Sequence, residues 1–309
     1  MRNRRLKILS KSEINELYDL PQFTPDEKNK YFTLTKEENK VMQERRTLTS
    51  RIHFILQIGY FKATSQFFNC TFDETKKDVS FILQKYFDKE KLSSKTVSQK
   101  TCHINQKSIA KLLGYEIDKQ IVKQKIRGML KTKILICGDP IYLFHEILRF
   151  TEQNKMSLPS YSSIQDLIGA SIIYEEKRLG ESLKKNLCHQ DWGIIKNMLL
   201  KNGNEYFLSE LKKDPKSFKQ KHIKAEIKKL IDYEMLYKLA KYSLPKLDVT
   251  NQNIYYYASL AEHYPISNLK KLSTTKQAIY VLCYAHSRNE KINDNLMISF
   301  IHYLEKFKS

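Results

Sequence analysis

Eight glycines and seven prolines in 309 residues leave this chain few places at which a helix must break. Glycine destabilises a helix interior through its freedom in the unfolded chain, and proline removes a backbone donor and collides with the preceding turn. Where both are scarce, helices run on unless something else stops them. Start signals are correspondingly frequent. In a capping box a Ser or Thr at the helix entrance and a Glu or Gln three residues later bond each other's backbone N–H. Ser10/Glu13, Thr24/Glu27, Thr35/Glu38, Thr71/Glu74, Ser162/Gln165 and Thr274/Gln277 all have that spacing. Pro25 follows Thr24, at the first helical position, which proline favours.

Strand signals are weak; "KILICGDPIYLF", Lys133 to Phe144, is a candidate for a short hairpin. Three Leu-Pro elbows, at Leu20, Leu158 and Leu244, each predict the end of one element and the start of another, because proline pushes its predecessor out of the α region. Near the end, "NDNLMISFIHYLEKFKS" predicts a helix entered through Asn and Asp caps, with Leu296, Phe300, Leu304 and Phe307 near one face. The expected class is all-α and multi-helical. Seams are expected near Asn69–Thr71 and Lys155–Pro159, which divides the chain into helical domains over 1–69, 70–155 and 156–309.

Charge narrows the function. Lys and Arg number 54 against 34 Asp and Glu, a net +20, while the hydrophobic content of 41% is that of a folded chain. So large an excess adds self-repulsion and makes sense opposite a polyanion, with nucleic acid ahead of an acidic membrane surface. No run of about 18 apolar residues is present to span a bilayer. The start "MRNRRLKILSKSE" is basic but lacks the apolar stretch of a secretory signal. Five cysteines at irregular spacing read as reduced thiols, which places the protein in the cytoplasm.

Three segments are candidate DNA contacts. Wound at 3.6 residues per turn, the stretch from Val41 to Phe68 puts Leu48, Ile52, Ile55, Gly59 and Ala63 on a core face. Arg46, Ser50, His53, Gln57, Tyr60 and Thr64 then share another face, with Arg45 and Arg51 flanking it. Arg, Gln, Ser, Tyr and His are side chains that meet phosphates and base edges. The competing reading is a semi-polar helix packed between two layers, with these groups satisfied inside. Lys62 lies further along this helix.

The second segment, Lys100 to Ile134, holds nine Lys or Arg against two acidic residues. Gln106, Ala110 and Gly114 have helix-turn-helix spacing, in which Ala permits close packing and Gly makes the turn. The pattern wants an apolar residue six positions after the Gly, where this chain has Gln120, with Ile121 one step late. The helix after Asp118 offers Lys119, Lys123, Lys125, Arg127 and Lys131, with Lys107 on the helix before it. A solvated basic face is the alternative. In the third segment, "LPSYSSIQDLI", Ser160, Tyr161 and Ser163 stand at a helix start, to contact a phosphate or merely to cap. Arg4 and Arg5 of the basic N-terminus complete the candidates.

Catalytic signatures are not found. Cys283 and His286 lack a second zinc-spaced pair and lie on an apolar helix, so core packing is the expectation. Glycine-rich phosphate loops, nucleophile elbows and His-Glu metal motifs are missing from the sequence. The chain reads as a binder that needs no cofactor, metal or catalytic residue.

The segments "LSKSEINELYDLPQFTPDEKNKYFTL", "RIHFILQIGYFKATSQFF", "LPSYSSIQDLI", "LKKDPKSF", "LPKLDVTNQNIYYYASL" and "NDNLMISFIHYLEKF" resemble, in that order, the N-terminal part of the Tn-three family of large replicative transposases. The likeness runs from about Leu9 to the C-terminus. It implies tandem helix-turn-helix-like domains that grip double-stranded DNA at a transposon's terminal inverted repeats, within a full-length assembly that is a homo-oligomer. The third domain would lead into a ribonuclease-H-like part that carries the family's catalytic acidic triad, so no catalytic residue carries over to this chain. The rival function is a region that organises protein–protein contacts and touches DNA without sequence preference.

Overall fold

The structure, a computed structural model, describes residues 5–88, 90, 92, 96–217 and 219–308. Among them the chain is all-α but for one small hairpin. The helices are α1 (Lys11–Tyr18), α2 (Pro25–Phe32), α3 (Lys36–Gln43), α4 (Leu48–Thr64), α5 (Lys76–Tyr86), α6 (Gln99–Leu113), α7 (Lys119–Ile136), α8 (Pro140–Gln153), α9 (Tyr161–Asn186) and α10 (His189–Asn197). The strands β1 (Lys201–Asn202) and β2 (Glu205–Tyr206) follow. Then come α11 (Phe207–Lys212), α12 (Gln220–Asp232), α13 (Glu234–Ser243), a 3-10 turn (Leu244–Leu247), α14 (Asn251–His263), α15 (Ile266–Leu269) and α16 (Thr274–Lys308).

Several entrances form as the sequence dictates. Ser10/Glu13, Thr24/Glu27 and Thr35/Glu38 close complete capping boxes on α1, α2 and α3. Thr71 and Glu74 bond reciprocally too, but over a turn that ends just before α5. Two boxes are misplaced. α9 starts at Tyr161 with Ser160 before it, and Gln165 reaches back to the Leu6 carbonyl instead of its own entrance. α16 starts at Thr274, and the Gln277 amide binds the carbonyls of Lys270 and Leu272.

The hairpin expected at Lys133–Phe144 is absent: α7 continues to Ile136 and α8 begins at Pro140. Asp139 accepts the Ile141 N–H, so Asp-Pro makes a helix entrance there. The only hairpin among the described residues is β1–β2. Asn293 and Asp294 do not start a helix; they lie within α16. The Leu244-Pro245 elbow sits inside the 3-10 turn, with Leu244 itself helical.

Packing divides the chain into two compact units, Met1–Leu130 with Phe144–Gly169, and Lys131–Leu143 with Ala170–Ser309. Both expected seams fall inside the first. In that unit α4 is the central element, against which α2, α5 and α6 pack. Ile52, Phe54, Ile55 and Ile58 of α4 meet Phe32 of α2, Ile82 of α5 and Ile109 of α6 in one core. Gly59 permits the closest approach, since a Cβ there would lie 2.3 Å from the Phe32 ring. In the second unit Ile254, Tyr257, Ala258 and Ala261 of α14 pack along Ala278, Ile279, Leu282 and Ala285 of α16. The alanines leave room for the two helices to lie close. Arg288 is buried in the same unit, paired with Asp214 and bonded to the Lys213 carbonyl.

Candidate nucleic-acid interface

The polar side chains of α4 point into the protein, which overturns the first candidate surface. Gln57 is fully buried, Tyr60 is 1% exposed and His53 is 3% exposed. Each has a partner inside the first unit. The Gln57 amide donates to the Phe68 carbonyl at 2.7 Å and accepts from the Phe68 N–H at 3.2 Å. The Tyr60 hydroxyl donates to Asp78 at 2.7 Å, and Asp78 is paired with Lys28 at 2.8 Å. His53 Nδ1 lies 3.0 Å from the Asn105 amide, whose oxygen accepts from Arg45 at 2.8 Å. Arg51 donates to the Arg45 carbonyl, and Lys62 is paired with Glu38 at 2.7 Å. The alternative reading of α4, a semi-polar helix satisfied between layers, is the observed one. Buried polar groups find partners because an unmade bond there costs more than the bond itself contributes.

Arg46, in the link before α4, is exposed. Arg5 is exposed and makes two bonds to Asp166. Arg4 lies outside the described residues. Tyr161 is also committed: its hydroxyl accepts the N–H groups of Ile8 and Leu9 and so anchors the N-terminal segment.

The second candidate has the expected local form. α6 ends at Gly114 in the left-handed conformation, φ +73°, and the Tyr115 N–H returns to the Ala110 carbonyl at 2.8 Å. Asp118 accepts the N–H groups of Gln120 and Ile121 and opens α7. The turn is longer than the sequence pattern assumed. Its first buried apolar residue is Val122, while Ile121 is 42% exposed.

On α7, Val122, Ile126, Leu130 and Ile134 are buried at steps of four. Lys119, Lys123 and Arg127 follow the same step, so within the first unit the cations form a second row parallel to the apolar one. Each step of four turns by only about 40°, and the row rises about 12 Å along the axis. Lys131 keeps the spacing but is the first residue of the second unit, so it is not counted in the row. Gln120 and Gln124, both exposed, lie beside this row. Lys125 does not belong to it, being about 160° away from Arg127 around the helix. Lys107 is exposed on α6. Among the described residues none of the three row cations has an ion pair or side-chain hydrogen bond, in contrast to Arg45, Arg51 and Lys62.

The third candidate joins the second in a cleft of about 680 Å³ that lies within the first unit. Lys119 and Lys123 of α7 line it together with Ser160 and Ser163. The chain leaving α4 supplies Gln66, Phe67, Phe68 and Asn69, and α6 supplies Gln106. Ser160 bonds Ser163 at 3.0 Å. Gln66 and Asn69 escape a sequence reading because they follow the helix and belong to no periodic pattern. Gln120 and Gln124 were findable, since they keep the spacing of the cationic row.

Residues 8–171, more than half of the chain, match the family model described as "Domain of unknown function (DUF4158)". The matched stretch contains the cleft and all of α7. Among curated proteins none matches this chain.

Proposed function

The chain belongs to the family described as a domain of unknown function, DUF4158, and on that premise we propose that it binds double-stranded DNA at the inverted-repeat ends of a transposon, as the N-terminal part of a transposase. The observation that carries this reading is the row Lys119–Lys123–Arg127 with Gln120 and Gln124 beside it. Unpaired cations on one face of a helix that follows a helix-turn geometry suit the DNA backbone, and glutamine amides suit base edges. The net charge of +20 and the resemblance to Tn-three transposases point the same way. In this reading the chain holds the DNA, and strand cleavage belongs to a catalytic part of a longer transposase.

Selection from a randomised duplex library, followed by affinity measurement against a scrambled duplex, tests it. A recovered consensus bound at least a hundredfold more tightly than the scrambled duplex is the expected result. Equal binding with a steep salt dependence would remove sequence recognition, because phosphate contacts carry none.

The rival reading, a region that organises protein–protein assembly, draws on a different observation. Met297, Phe300, Ile301 and Leu304 of α16 are each about half exposed or more, with Phe300 at 64%. Sedimentation of the chain without DNA distinguishes it: self-association lost on Phe300→Ser, with no sequence preference for DNA, would favour assembly.

A further inference from the structure

The cationic row leads at its N-terminal end into the cleft, and the cleft walls have a chemistry that duplex DNA does not use. A duplex presents phosphates and groove edges; it has no exposed ring face to stack. The cleft is lined by two aromatic side chains, Phe67 and Phe68. Both are half-buried; Phe67 packs on Phe61 with centroids 4.4 Å apart, and Phe68 on Tyr60 at 5.7 Å. Their backing is rigid, since the Phe68 backbone is clasped by buried Gln57. Gln106 and Asn69 make no side-chain hydrogen bond among the described residues, and both line the cleft. A carboxamide both donates and accepts, which matches the hydrogen-bonding edge of a base.

We propose that this cleft takes one unpaired nucleotide of the bound DNA, its base against Phe67 and Phe68, its edge met by Gln106 and Asn69, and its phosphate by Lys119 and Lys123. The volume of about 680 Å³ is that of a small-ligand site. Aromatic platforms beside a cationic track are the means by which proteins hold single-stranded nucleic acid. A purely anionic ligand would leave the rings and amides without a role, and an acidic peptide would leave the rings without a stacking partner. The inference rests on the DNA-binding reading of α7, and goes beyond it in assigning a second, single-stranded element to the same ligand.

The test compares the full chain's affinity for a perfectly paired duplex with its affinity for the same duplex carrying a one-nucleotide bulge. The bulged duplex should bind about tenfold more tightly, the gain of one stacked base. Gln106→Leu and Phe68→Leu should each cut that preference to threefold or less while leaving affinity for the paired duplex unchanged. Arg127→Ala, outside the cleft, should weaken both duplexes alike and preserve the ratio. With 5-iododeoxyuridine at the bulge, irradiation should crosslink the peptide that contains Phe67 and Phe68. Equal affinity for the two duplexes, or a crosslink mapped to another part of the chain, would overturn the cleft assignment and leave DNA binding by α7 standing. Binding of neither duplex would overturn both.

Discussion

Gln57 and Phe68 are joined by two hydrogen bonds, side chain to backbone in both directions, at 2.7 and 3.2 Å. The pair fixes the chain as it leaves α4, where Phe68 lines the cleft. Gln57→Ala should therefore cost about 1–3 kcal/mol, since it removes both partners of the half-buried Phe68 backbone and empties a fully buried side-chain position. A lower urea midpoint at an unchanged denaturant slope is the expected signature. A variant as stable as the parent would show that the clasp contributes nothing.

Gly59 and Gly128 make a contrasting pair. At Gly59 an added methyl would meet the Phe32 ring at 2.3 Å, and that ring is fully buried beside Phe23, Tyr60 and Phe81. Gly59→Ala should destabilise by about 1–3 kcal/mol. Gly128 lies inside α7 with nothing within 4 Å of its missing Cβ. Gly128→Ala should stabilise by about 0.5–1 kcal/mol by restricting the unfolded chain. Thermal unfolding of the two variants side by side checks both signs.

His53 predicts a pH dependence. Burial pushes its pKa from 6.5 down to about 4. Its Nδ1 accepts from the Asn105 amide, which also donates to the Ser50 carbonyl at 3.1 Å and accepts from Arg45. Protonating Nδ1 would set two donors against each other. The unfolded chain binds the proton first, so stability from this group is complete above pH 6.5 and falls as pH drops towards 4. The full loss is about 3 kcal/mol, from 1.36 kcal/mol per pKa unit. His53→Gln should flatten the urea midpoint between pH 6.5 and 4; a parent profile already flat across that window would refute the assignment.

The same residues explain what the sequence could and could not disclose. Helix entrances were legible because a capping box is complete within four residues, as at Ser10, Thr24 and Thr35. The turn at Gly114 was legible because left-handed backbone favours glycine. The stripe on α4 was misread because its partners lie far along the chain: Gln57 bonds Phe68, Tyr60 bonds Asp78 and His53 meets Asn105. A polar residue with a distant buried partner has the same periodicity as one facing water. The cleft was invisible for a related reason, being assembled from α6, α7, the entrance of α9 and the chain after α4, none of which signals the others.

The last prediction uses the helical geometry of α7 as its own control. Arg127 lies in the cationic row and Lys125 about 160° from it, yet both are exposed and each removes one positive charge when replaced by alanine. If the row faces DNA, Arg127→Ala should reduce affinity for every duplex and lower the slope of log affinity against log salt by about one. Lys125→Ala should leave that slope nearly unchanged, because long-range charge alone is screened within about 10 Å at 0.1 M salt. Gln124→Ala should instead leave random-sequence binding alone and weaken the selected site by about 1–3 kcal/mol, the worth of a good base contact. None of these three exposed substitutions should shift the urea midpoint, so a binding loss cannot be mistaken for unfolding. Equal salt slopes for the Arg127 and Lys125 variants would mean that α7 attracts DNA only through net charge, and that its row does not lie against the backbone.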